Sequence, residues 1–129
     1  MSELESISET KANIQIINSL SIDKLKQLQN ITEQNIVIKF TASWCAPCNK
    51  TREYVHKKFN ELKNCLIVEL DIDFDSEIYN FLKTKRMLIG IPTIMLWKNV
   101  ERDYWYIPEE TVSGTKIAEI DAFFNKCNK

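Results

Sequence analysis

Residues 41–50 read TASWCAPCNK, which sets Cys45 and Cys48 two residues apart, with Pro47 between them and Trp44 in front. A Cys-x-x-Cys pair has three possible uses: a dithiol that closes and reopens as a disulfide, half of a metal site, or two thiols with no joint role. A zinc site needs a second ligand pair at short spacing. Cys65 and Cys127 lie 17 and 79 residues beyond Cys48, and the only histidine is His56, so no metal is expected. The preceding run IVIKF (36–40) is β-branched, as suits a strand buried on both faces. Cys45 would then stand where that strand hands over to a helix. Free backbone N–H groups and the positive end of the helix dipole favour a thiolate there. Pro47 suits the first helical turn, where a missing N–H costs nothing. Cys48, one turn further in, is placed to attack a mixed disulfide formed at Cys45. His56 lies 11 residues from Cys45. That is about 16 Å along a helix at 1.5 Å per residue, which excludes it as a direct base. It reads as a surface helix residue, and Cys65 and Cys127 as passive.

The elements that must hold the pair follow from periodicity. NIQIIN (13–18) alternates like an edge strand. Ser21 can cap a helix through Leu25 and Leu28 to about Asn30. Thr51–Leu62 places Tyr54, Val55, Phe59 and Leu62 at helical spacing. CLIVELDI (65–72) reads as a second central strand, followed by a helix from Asp75 or Ser76 with Ile78, Phe81 and Leu82 on one face. TIMLW (93–97) and DYWYI (103–107) read as two strands joined around KNVE. A closing helix runs from Thr115 to about Lys126. The order β-α-β-α-β-α-β-β-α predicts an α/β fold: a mixed, mostly parallel central sheet with an antiparallel last hairpin, flanked by four helices.

The bulk properties narrow the function classes. At 129 residues the chain suits one domain, here 11–129 after a polar, disordered lead-in at 1–10. A net charge of −1 gives no electrostatic case for nucleic acid or an anionic membrane. No apolar run approaches the ~18 residues of a membrane span. The opening MSELESISET lacks the basic start and apolar core of a secretory signal, which points to a reducing, cytoplasmic setting.

FTASWCAPC followed by GIPT resembles the thioredoxin family over about residues 12–126, and FTASWC is especially like its plant-type members. The resemblance implies a thioredoxin fold and a protein dithiol–disulfide oxidoreductase. Cys45 resembles the attacking thiol and Cys48 the resolving one. Pro92 matches the family's cis-proline, against which the dithiol sits. The backbone of Ile91 would pair with an incoming substrate chain, and Trp44, Ala46, Pro47 and Thr93 would rim the groove, with Ser113 or Gly114 at its far wall. No bound cofactor is implied. NADPH enters indirectly through a thioredoxin reductase, the substrates are protein disulfides, and the protein acts as a monomer.

The chain departs from the pattern most at a pair of positions on neighbouring strands. The family usually carries an aspartate six residues before the first cysteine and a lysine on the neighbouring strand; here the residues are Lys39 and Glu69. Both interrupt apolar strands, where an unpaired charge is expensive. Either they form a charge-reversed buried pair or both side chains snorkel to an edge. A buried ammonium near the dithiol would favour thiolate, stabilise the reduced form and make the couple more oxidising. Lys39 as a cation cannot take a proton from the resolving thiol, whereas Glu69 can through water. Two further readings therefore stand beside the reductant: a more oxidising thiol oxidase or isomerase, and a thioredoxin-fold binding subunit without redox turnover. Smaller departures are Glu53 in place of a helix-kinking proline, Thr41 where many members have a second tryptophan, a lengthened 101–113 stretch, and a helix at 75–86 about a turn longer than usual.

Overall fold

The computed structural model describes residues 15–128. The lead-in at 1–10 and the first residues of the 13–18 strand lie outside them. The chain runs β1 (Ile16–Ile17), α1 (Ile22–Ile31), β2 (Asn35–Thr41), α2 (Ala46–Glu61), β3 (Cys65–Asp71), α3 (Glu77–Thr84), β4 (Thr93–Trp97), β5 (Glu110–Ser113) and α4 (Ile117–Cys127). The sheet order is β1-β3-β2-β4-β5. β3 pairs parallel with β1 and β2, while β4 lies antiparallel between β2 and β5. Four strands thus run one way and β4 the other. The ends of β2 and β3 and the start of β4 consequently share one edge of the sheet.

Side-chain alternation splits the core in two. Ile36, Ile38, Phe40, Val68 and Leu70 pack with Leu25 of α1 and Ile78 and Leu82 of α3. Val37, Ile67, Ile94 and Leu96 face Val55 and Phe59 of α2 and Phe123 and Phe124 of α4. Lys39 follows Val37 by two residues and Glu69 follows Ile67 by two, so both charges point to the α2 face. Ser21 caps α1 by accepting the Lys24 N–H at 3.0 Å, as its sequence position predicts.

Two elements differ from expectation. Residues 103–107 form no strand; β5 begins only at Glu110. An aromatic run has the composition of a strand, but Trp105 and Tyr106 pack instead on Phe81 of α3, with centroids 5.0 and 5.5 Å apart. Arg102 folds the loop around itself, donating to the carbonyls of Lys98 (2.7 Å) and Ile107 (2.6 Å) and pairing with Glu109. Pro108 has no N–H for a ladder, and pairing with β4 resumes where Glu109 N–H donates to Leu96 O at 2.8 Å.

The third helix is also shorter than the 75–86 reading, ending at Thr84. Its end is a Schellman turn: Arg86 N–H donates to Lys83 O and Met87 N–H to Leu82 O, both at 2.9 Å. Arg86 holds φ at 61°, a left-handed conformation that glycine adopts freely and other residues do not. Arg86→Gly is therefore expected to stabilise the fold by about 0.5–1 kcal/mol. The readout is a higher urea midpoint at unchanged m; an equal or lower midpoint would mean that the Arg86 side chain supplies a compensating contact.

Candidate functional site

Cys45 is the N-cap of α2, and its Sγ accepts the backbone N–H of Cys48 at 3.1 Å. Pro47 occupies the first turn. Cys45 and Cys48 are joined as a disulfide, with Cα atoms 5.2 Å apart. Cys45 is 4% exposed and Cys48 fully buried, so Cys45 is the more accessible of the two. Ala42 shares their apolar cluster, against which Ile72 from the β3–α3 loop and Ile91 from the loop before β4 both pack. A sulfur held at a helix N-terminus and flanked by apolar side chains can leave as a thiolate and return as a nucleophile.

The peptide bond Ile91–Pro92 is cis. The Pro92 carbonyl accepts the Gly114 N–H at 3.1 Å, which ties the loop before β4 to the end of β5. Gly114 needs its freedom here, because φ is +92°. Trp44, Ala46 and Pro47 are exposed around the pair, and Trp44 Nε1 donates to Asp73 at 2.8 Å. Thr93 differs from the groove-rim position that the resemblance implied. It is fully buried, its hydroxyl reaching Gly90 O at 2.6 Å and Ser113 Oγ at 2.9 Å. A residue leading the interior strand β4 has its side chain inside the fold, so Thr93 ties the loop before β4 to the end of β5.

Lys39 and Glu69 stand directly opposite each other on β2 and β3. Lys39 Nζ lies 3.1 Å from Glu69 Oε2, with the side chains 1% and 15% exposed, so neither snorkels. The contact is an ion pair without hydrogen-bond alignment. Burial pulls the Lys39 pKa down, and Glu69 only partly opposes this. Burial would raise the Glu69 pKa, but Lys39 and then His56 outweigh it and hold the carboxyl below its usual range.

His56 is the residue that sequence reasoning placed elsewhere. It is not a free surface residue: its Nε2 lies 3.2 Å from both Glu69 oxygens, and its ring stacks on Phe59. The available signal was the spacing of Cys48, Arg52 and His56, which set one stripe of α2; which strand that stripe faces is a tertiary fact. A cleft of about 450 Å³ opens beside this cluster, lined by Thr41, Ala42, Arg52, His56 and Glu69 among others, and gives Glu69 its route to solvent. Among the described residues, no group of three or more potential metal ligands converges, and no helix is long and apolar enough to cross a membrane. Cys65 and Cys127 are free thiols, and burial pushes the Cys127 pKa up to about 12.

Comparison with known proteins agrees with this geometry. The chain is 30% identical over 118 residues to thioredoxin 3 of Plasmodium falciparum, covering 92% of this chain and 61% of that protein. It thus spans about three fifths of that relative's length. Against the thioredoxin of Mycoplasma genitalium it is 30% identical over 112 residues, covering 81% of this chain and 96% of the other. A crystal structure of a P. falciparum thioredoxin superposes with a TM-score of 0.63 at 29% identity, covering 86% of this chain and 85% of that one. The Thioredoxin family model matches residues 12–126, nearly the full length, and the chain belongs to the thioredoxin family.

Proposed function

We propose that this protein is a dithiol–disulfide oxidoreductase acting on protein disulfides. The observation that carries the reading is the closed Cys45–Cys48 pair at the N-terminus of α2, with Cys45 the less buried of the two and Cys48 fully enclosed. The Cys45 thiolate attacks one sulfur of a partner's disulfide and expels the other as thiolate. Cys48 then attacks Cys45, closing the intramolecular disulfide and releasing the reduced partner. Two electrons pass from this protein to the partner, and a thioredoxin reductase restores the dithiol using NADPH. The protein itself holds no cofactor, works as a monomer and resides in the cytoplasm, where free thiols such as Cys65 and Cys127 persist.

A second reading rests on the reversed pair. The Lys39 ammonium lies on the face that α2 covers and favours thiolate, which shifts the couple toward oxidation or isomerisation. Glu69, reached from the cleft, is the group able to exchange a proton with Cys48 through water. Equilibrating the dithiol against a glutathione buffer series separates the two readings. A midpoint of about −270 mV marks a general reductant and makes the pair structural, whereas about −180 mV or higher marks a tuned oxidant or isomerase. Lys39→Ala should move a tuned potential downward; no change in potential or thiol pKa would remove Lys39 from the tuning role.

A further inference from the structure

The buried side-chain polar atoms that lack a hydrogen-bond partner are not scattered. Four occur among the described residues, and three of them, Lys39 Nζ, Thr41 Oγ1 and Arg52 Nε, belong to one place. The parallel register sets Lys39 opposite Glu69 and Thr41 opposite Asp71. Lys39 and Thr41 are two residues apart on β2, as Glu69 and Asp71 are on β3, so all four side chains leave the same face of the sheet. Thr41, Glu69 and Asp71 line the cleft of about 450 Å³ together with Arg52 and His56 of α2, and that volume is in the range of small-molecule sites. Thr41 is 6% exposed, yet its hydroxyl bonds to nothing. Buried polar groups are normally hydrogen-bonded, so two orphans in the cleft wall, and a third on the lysine paired with Glu69, mark a missing acceptor.

The charges decide what kind of molecule supplies that acceptor. Glu69 is already matched, by Lys39 at 3.1 Å and by His56 at 3.2 Å. Arg52 and Asp71 are not: among the described residues, neither forms an ion pair, with each other or with any other charge. Arg52 donates to Asn49 Oδ1, and Asp71 Oδ1 accepts the Asp73 N–H. A bare anion would gain Arg52 but face the carboxylates of Glu69 and Asp71, and a bare cation would gain Asp71 but meet Arg52. We propose that the cleft binds a small zwitterion of the amino-acid type, its carboxylate held by Arg52 and Thr41 and its ammonium by Asp71. Thr41 and Asp71 stand on adjacent strands, about 4.8 Å apart, which suits two groups carried on one carbon. Ala42 and the exposed ring of Phe74 give the cleft an apolar wall for the rest of the molecule. Ala42 also packs with Cys45 and Cys48, so the site adjoins the dithiol without using either sulfur.

The test titrates the isotope-labelled full chain with L-leucine, isocaproate and isoamylamine, which carry both charges, the carboxylate alone and the ammonium alone. Amide shifts at Thr41, Arg52 and Asp71 should saturate with leucine. Each single-charge probe should bind about tenfold more weakly, the loss expected when one charged hydrogen bond is removed. Thr41→Val should weaken leucine and isocaproate by about tenfold and leave isoamylamine unchanged. Asp71→Asn should weaken leucine and isoamylamine by a similar factor without weakening isocaproate. A partly unfolded variant would lose all three probes together, so the crossed pattern is specific to direct contact, and the same spectra report whether each variant is folded. No saturable shift with leucine overturns the proposal and leaves the orphan atoms to solvent. Isocaproate binding as tightly as leucine makes the cleft a carboxylate site, and isoamylamine doing so makes it a cation site; either result overturns the zwitterion. Equal losses of all three probes in both folded variants overturn the assigned contacts. None of these outcomes bears on the dithiol, whose chemistry the site does not require.

Discussion

Cys48→Ser is expected to turn a catalyst into a trap. Cys45 is still the N-cap of α2 in this variant, the more accessible of the two positions and with the helix dipole behind it. It therefore attacks a partner disulfide as before, and the mixed disulfide forms. A serine hydroxyl at the second position is no nucleophile toward sulfur at neutral pH, so the adduct is not resolved. Turnover should fall by at least about a thousandfold, the scale seen when one member of a catalytic unit is removed. One equivalent of partner should remain bound through sulfur, visible by mass and released by an added thiol. Cys45→Ser should lose turnover equally but capture nothing, since Cys48 is fully buried. Capture by Cys45→Ser and none by Cys48→Ser would reverse the order of attack.

The second large effect is on stability. Glu69→Leu takes away the carboxylate 3.1 Å from the Lys39 ammonium, which is itself 1% exposed. Breaking a buried pair from one side costs about 3–5 kcal/mol. Lys39→Met should cost less. Glu69 keeps its contacts to His56 and some access to the cleft, so its charge is less stranded. Lys39→Met/Glu69→Leu removes both charges at once and should be close to neutral, or more stable by about 1–4 kcal/mol. Urea unfolding of the four proteins closes the cycle; additive losses in the two single variants would show that the residues do not interact. The pH dependence has a definite sign. Glu69 is held below its ordinary value near 4.5, so its contribution is complete above that value and is lost as pH falls through the lower folded one. The wild-type chain should lose stability more steeply on acidification than Glu69→Leu.

How far the sequence alone reaches depends on the range of the forces involved. The strands IVIKF and CLIVELD, the Ser21 cap and the helix after the cysteines follow from local periodicity and capping, and the structure has them where the pattern puts them. The aromatic run 103–107 misled for the same reason: strand-like composition is a local signal, and the partner that overrides it, Phe81, is more than twenty residues away. Lys39 and Glu69 were readable as a problem, two charges in apolar strands, but not as a solution. Pairing or snorkelling depends on strand register, which the turn and core decide together. His56 was misread because its helix position is local information and its partner on β3 is not.

What the amino-acid sequence determined is the covalent and local part: two cysteines at the spacing of a small ring, a proline that fits the first helical turn, and a family pattern spanning residues 12–126. What only the tertiary structure decided is the company those residues keep. The parallel register of β2 and β3 sets Lys39 against Glu69, and the packing of α2 lowers His56 onto that pair. The meeting of two loops at one edge of the sheet packs Ile72 and Ile91 against the Cys45–Cys48 pair. Ring size and helix capping act over a few residues and are written along the chain. Charge pairing and surface patches act through space, and exist only once distant segments have been packed together.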